Sequence, residues 1–170
     1  MIAWTSVPTP LDDFTVAATE TGVVGIGFGA WGPAVRSWEG HGRVRPGTAA
    51  DTALAHGVRE VREWAVGRRE VFDAPLDWSL TSGVQERVLR TLYETVPFGT
   101  TITYGELASR SGLPGEARLV GQIMGSNPIP IIVPCHRVLA SDGLGGYGPG
   151  LELKRRILVL ERVLQPSLFD

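Results

Sequence analysis

The chain has 170 residues, of which 43% are apolar and 20% charged; its formal charge is -2 and it has one cysteine, Cys135. This composition excludes a chain that is mainly disordered, and a lone cysteine excludes an internal disulfide or a multi-cysteine zinc site. No apolar run approaches the roughly 18 residues of a membrane span, and residues 1–13 lack a signal-peptide pattern, so the expectation is a soluble protein of the cytoplasm. Residues 1–80 hold 7 basic and 10 acidic side chains, and residues 81–170 hold 9 and 8. Any contact with nucleic acid is therefore expected from a local patch in the second half.

In chain order, residues 14–18, 23–28 and 34–38 are apolar or β-branched runs punctuated by glycine and read as short strands. Leu54, Val58, Val61 and Ala65 recur at helical spacing and predict a helix over 51–66. Residues 70–80, with Pro75, read as a connection between two units, and the boundary is placed at 78/79. Ser82 and Gln85 have the spacing of a capping box. They open a helix with Val84, Val88, Leu92 and Val96 as its stripe, ended by Pro97-Phe98-Gly99. Residues 104–110, a turn at Gly112-Leu113-Pro114-Gly115, and residues 116–124 follow helix-turn-helix spacing. On the second of these helices Arg118, Gly121, Gln122 and Gly125 share one face, and Leu119, Val120, Ile123 and Met124 fall largely on the other. Exposed helical glycines cost about 1 kcal/mol each relative to alanine. Two uses offset that cost: close approach of a bulky partner such as a DNA groove, or close helix packing.

The segment from Asn127 to Val138 is the richest in chemistry. Pro128, Pro130 and Pro134 restrict the backbone, and residues 131–133 read as a short buried strand. Cys135 follows, with His136 and Arg137 beside it. An imidazole or cation near a thiol lowers its pKa and raises the thiolate fraction, which is the nucleophilic form. The alternative is an inert thiol at a strand end. Neighbouring residues on an extended chain point oppositely, so His136 would reach the sulfur through a water. A helix over 151–164 carries Glu161 on the same face as Lys154. Glu161 either orients His136 or is an exposed carboxylate paired with an arginine. Lys154, Arg155 and Arg156 near the start of that helix oppose its dipole, as anionic phosphates nearby would explain. The glycine-rich residues 139–150, centred on Tyr147, form either a pocket wall or a hairpin turn. His41 and His56 read as surface or structural histidines.

Over about residues 84–161 these features resemble the O6-alkylguanine-DNA alkyltransferase family. The match is carried by Pro134-Cys135-His136-Arg137-Val138, Asn127-Pro128, Val96-Pro97-Phe98-Gly99, Thr103-Tyr104, Ala117-Arg118, Val120-Gly121 and Gly146-Tyr147. The resemblance implies a small ribonuclease-H-like α/β domain (1–78) followed by a mostly α, winged helix-turn-helix domain (79–170). It also implies direct repair, in which an alkyl group moves irreversibly from O6 of guanine, or O4 of thymine, to Cys135. Cys135, His136, Glu161, Asn127 and Tyr104 are the implied catalytic set. Arg118, Gln122, Gly121 and Gly125 are implied to meet the minor groove of double-stranded DNA. Tyr147, Val138, Gly148, Lys154 and Met124 are implied to line the guanine pocket. No cofactor, metal or membrane is implied, and the protein is expected to be a monomer, with cooperative assembly on DNA left open. Leu119 and Glu116 depart from the family pattern, adding bulk and an acid to the helix expected against DNA. The competing readings are a lesion-binding protein without transfer, a DNA-binding redox sensor, and a cysteine hydrolase using Cys135 and His136.

Overall fold

The computed structural model describes residues 1–29 and 31–166. The chain forms two compact units, residues 1–82 with 128–130, and residues 83–127 with 131–170.

The first unit is a four-stranded sheet with two helices. Its elements are β1 (Ile2–Pro8), β2 (Asp13–Ala18), β3 (Val23–Phe28), α1 (Trp31–Glu39), β4 (Val44–Pro46) and α2 (Thr52–Ala65). The strand order is β3-β2-β1-β4; β1 runs antiparallel to β2 and parallel to β4. Val16 lies opposite Ile26, and Ala17 opposite Gly25. Successive strand residues point to opposite faces, and the glycines show what covers each one. A Cβ at Gly57 of α2 would lie 3.4 Å from the Val16 side chain, and one at Gly25, the partner of Ala17, would lie 2.5 Å from the Trp38 indole of α1. The two helices thus cover opposite faces of the sheet, and Gly25 is what lets α1 approach.

The expected strand over 34–38 is instead part of α1. Val35 and Trp38, three residues apart, both turn into the core beside Ile2, Ala17 and Val24, which is a helical spacing. Pro33 sits in the first helical turn, where its missing N–H removes no hydrogen bond. The helix expected over 51–66 is α2, with Leu54, Val58, Val61 and Ala65 all buried.

The second unit contains α3 (Gly83–Thr95), β5 (Ile102–Thr103), α4 (Tyr104–Arg110), α5 (Ala117–Gly125), a 3-10 turn (Cys135–Arg137), β6 (Val138–Leu139) and α6 (Leu151–Leu160). Helices α3, α4 and α5 pack on one another around buried Val88, Leu89, Leu92, Leu107, Val120 and Ile123. Val84, expected in the stripe of α3, is exposed in the first turn, and Leu89 widens the stripe instead. Gln85 donates from its amide to Ser126. Thr103 caps α4: its hydroxyl accepts from the Glu106 N–H and donates to the Glu106 carboxylate, an N-cap that the sequence reading passed over. Strands β5 and β6 pair in parallel.

Residues 131–133 are buried but form a turn rather than a strand, with Ile131 at φ 74. Pro130 and Pro134 bracket them and remove the N–H groups a ladder would use. Helix α6 stops at Leu160, short of the expected 164, because Glu161 is its C-cap and Arg162 turns left-handed at φ 62. Among the described residues no helix is long and apolar enough to cross a membrane.

Candidate active site

Three short pieces of the second unit converge on the sulfur. Cys135 opens the 3-10 turn directly after the bracketed turn at 131–133. It is buried, at 7% exposure. The Asn127 amide donates to the Val133 carbonyl at 2.8 Å, tying the end of α5 to the chain entering the cysteine. It also hydrogen-bonds the thiol.

Burial pushes the Cys135 thiol up from its ordinary 9.0, against the smaller opposing effects of Asn127, the Lys154 charge and nearby backbone N–H groups. The sequence expectation of a thiol activated by its own neighbours is thus corrected. Arg137 does not serve the sulfur; its guanidinium turns to Glu161. A buried thiol of this kind is protonated at neutral pH and needs a base before it can act.

His136 is fully buried in the same turn. Its Nε2 meets Glu161 Oε1 at 2.9 Å. Arg137 Nε donates to the same oxygen at 2.8 Å, and Arg137 Nη2 to Oε2 at 3.0 Å. The two options for Glu161, orienting His136 or pairing with an arginine, are therefore both realised, and the carboxylate is buried rather than exposed. Burial alone would raise its pKa, but His136 and Arg137 hold it far below the usual carboxylate range. Burial lowers the His136 pKa, Glu161 opposes that, and Arg137 and Lys154 add to the lowering. Nε2 donates to an ionised carboxylate, so Nδ1 is the ring's acceptor.

Lys154 of α6 is fully buried. Its ammonium donates to three carbonyls, Val138 at 2.8 Å, Leu144 at 2.5 Å and Gly146 at 3.0 Å. The phosphate expected near this end of the helix is thus replaced, for Lys154, by carbonyl oxygens of the protein. Burial lowers its pKa to about 8, with the Cys135 charge acting in the opposite sense. Two of these bonds, to Leu144 and Gly146, fasten the glycine-rich loop, which begins with an antiparallel bridge between Ala140 and Gly143. The first part of the segment is therefore a hairpin turn. Tyr147 is half-buried with its hydroxyl turned inward, its ring 5.9 Å from the Lys154 ammonium. Burial raises its pKa well above 10.

Tyr104, the first residue of α4, lies between two glycines. A Cβ at Gly145 would come within 2.8 Å of its ring and hydroxyl, and one at Gly121 within 3.9 Å of its ring. Its hydroxyl is 3.5 Å from the Gly146 carbonyl. Gly121 is half-buried and has room for a methyl group, whereas Arg118, Gln122 and Gly125 are exposed along α5. Met124 is half-buried on α5, and Gly148 is exposed in the loop. His41 is exposed, and His56 is half-buried 3.5 Å from Glu60. Sequence reasoning missed Arg137 as a ligand of Glu161 and Phe98 as the ring beneath it, 5.9 Å from the guanidinium. Adjacency to Cys135 drew attention to the sulfur, and no local pattern signals a partner 24 residues away.

The thiol is thus buried in the same turn as an imidazole held by a carboxylate, and it feels the charge of a buried ammonium. The family model for the 6-O-methylguanine DNA methyltransferase DNA-binding domain matches residues 83–163. A methylated-DNA–protein-cysteine methyltransferase of Mycolicibacterium paratuberculosis is 46% identical over 122 residues, which cover 69% of this chain and 73% of the relative. The crystal structure of the Mycobacterium tuberculosis O6-methylguanine methyltransferase superposes with a TM-score of 0.79 at 34% identity, covering 100% of both chains. Mycobacterium tuberculosis OGT in complex with DNA gives 0.79 at 32% identity over 99% of both. The chain belongs to the methylated-DNA–protein-cysteine methyltransferase family.

Proposed function

We propose that this chain repairs O6-alkylated guanine in double-stranded DNA by moving the alkyl group onto Cys135 in a single irreversible turnover. The observation that carries the proposal is the burial of the chain's only thiol beside His136, whose ring is held by Glu161. His136 takes the thiol proton through a water, and the thiolate attacks the alkyl carbon in line with the C–O6 bond. A carbon–sulfur bond forms as the C–O6 bond breaks, and the electron pair leaves on the guanine. That anion takes a proton at N1 from Tyr104, and the tyrosinate recovers one from solvent as the His136 imidazolium gives up the thiol proton. The thioether is stable, so each molecule removes one alkyl group.

Reaching a base inside a duplex requires turning it out of the stack. We assign that step to α5, entering the minor groove with Arg118 filling the gap and Gln122, Gly121 and Gly125 against the backbone. Tyr147, Val138, Gly148, Lys154 and Met124 line the pocket, and Asn127 positions the turn that leads to Cys135. In the same proposal residues 1–78 are a ribonuclease-H-like domain and 79–170 a winged helix-turn-helix domain. The protein acts as a monomer in the cytoplasm. The presence of an acceptor cysteine separates this function from lesion binding without transfer.

The test is intact mass after incubation with a duplex carrying O6-methylguanine. One added methyl on Cys135 and restored guanine are expected. Unmodified protein after full incubation with excess duplex overturns the proposal. Cys135→Ala keeps lesion binding and transfers nothing.

A further inference from the structure

The guanidinium of Arg137 is held by three hydrogen bonds, and the chemistry described above does not use it. It is 6% exposed. Nε and Nη2 clasp both oxygens of Glu161, at 2.8 and 3.0 Å, and Nη1 donates to the Val96 carbonyl at 2.8 Å, just past the end of α3. One face lies over the Phe98 ring, on which Arg162 also stacks, at 5.7 Å. A guanidinium fixed on three sides in this way cannot swing to the sulfur or to a phosphate.

We infer that Arg137 is a positioning residue for alkyl transfer: by neutralising Glu161 and sharing its Oε1 with the histidine, it keeps His136 an uncharged base oriented toward the thiol. The inference rests on the proposed transfer function and adds a residue to it. A lone buried carboxylate at 2.9 Å would pull a proton onto the imidazole, and an imidazolium has no acceptor left to take the cysteine proton. With Arg137 in place the carboxylate's charge is already balanced. Glu161 then supplies an acceptor that fixes the ring and its tautomer without charging it.

The charged groups that act on the His136 ring are Glu161 and Lys154 from α6 and its C-cap, and Arg137 from its own turn. Tyr147 of the glycine-rich loop is part of the same cluster, facing Cys135 and Glu161. Among these, Arg137 and Lys154 oppose protonation of the ring, and only Arg137 does so by direct contact with Glu161.

The experiment is the pH profile of single-turnover methyl transfer for the full chain, its Arg137→Gln and Arg137→Lys variants, with His136 followed by NMR in each. In Arg137→Gln the acid limb should move up by about one pH unit. The rate at neutral pH should fall about tenfold and recover at high pH, and the His136 resonances should titrate at correspondingly higher pH. Arg137→Lys should restore both in large part. A uniform loss of rate at every pH, or an unmoved His136 titration, overturns the inference and leaves Arg137 a structural residue. If Arg137→Gln does not fold, the unmodified chain decides: His136 must be neutral with its proton on Nε2 at pH 7, and an imidazolium there overturns the inference. The NMR arms need no DNA, so a chain that transfers no methyl would sink the proposed function without touching this result.

Discussion

Each unit of the molecule buries one glutamate, and each glutamate holds a histidine and an arginine. In the first unit Glu60 of α2 is fully buried. It pairs with Arg69 at 2.7 Å and lies 3.5 Å from His56, one helical turn back. It also accepts the backbone N–H groups of Asp73 and Ala74, at 3.0 and 2.6 Å. In the second unit Glu161 is equally buried and holds His136 and Arg137. The same three side-chain types therefore do not define a site. Glu60 divides its lone pairs between Arg69 and the backbone of the 70–80 connection, and its histidine is 30% exposed. Glu161 spends its lone pairs on side chains alone, and its histidine is sealed beside a thiol. A carboxylate that binds backbone shapes the chain, whereas one that binds a buried imidazole sets the state of a base.

The largest test of this contrast is Glu161→Gln, which leaves the Arg137 charge buried without its carboxylate. A loss of about 3–5 kcal/mol in urea unfolding is expected, with methyl transfer slowed even where the variant is folded. Transfer at the unmodified rate would break the contrast.

Acid comes next. His136 and Glu161 both have native pKa values below their ordinary 6.5 and 4.5. The unfolded chain therefore binds more protons on the acid side, and stability must fall as pH falls. The decline should begin below about 6.5 with the histidine and steepen below about 4.5 with the carboxylate. In Glu161→Gln that lower part should be shallower, with only carboxylates such as Asp51 and Asp77 left to supply it.

Glu60→Gln should cost about 1–3 kcal/mol, since it weakens one buried ion pair and two backbone bonds. The transfer rate should not change below the melting temperature. A parallel loss of transfer would show that the first unit's glutamate also serves the chemistry. The smallest effect is expected for His56→Ala, within about 1 kcal/mol, because its contact with Glu60 is long and partly solvated. His136→Ala should abolish transfer.

Much of this was legible in the chain itself. The helical stripe over 51–66 and the cysteine motif at 134–138 are local patterns, and local patterns survive folding where burial agrees with them. The errors have local causes too. Residues 34–38 looked like a strand because Val35 and Trp38 are apolar and flanked by glycine. Their three-residue spacing becomes decisive only when a sheet is present to receive it. Residues 131–133 looked like a strand because they are apolar, but flanking prolines left them no donors for a ladder.

Sequence alone determined which residues could do the chemistry: a lone thiol, an adjacent imidazole, and a carboxylate on an apolar helix face, together with the family they resemble. Only the tertiary structure decided how they are charged. Burial raises the thiol and lowers the imidazole, and Arg137 turns from the cysteine next to it to a glutamate 24 residues on. Protonation depends on solvation and on charges within a few ångströms, and neither is a property of neighbours along the chain.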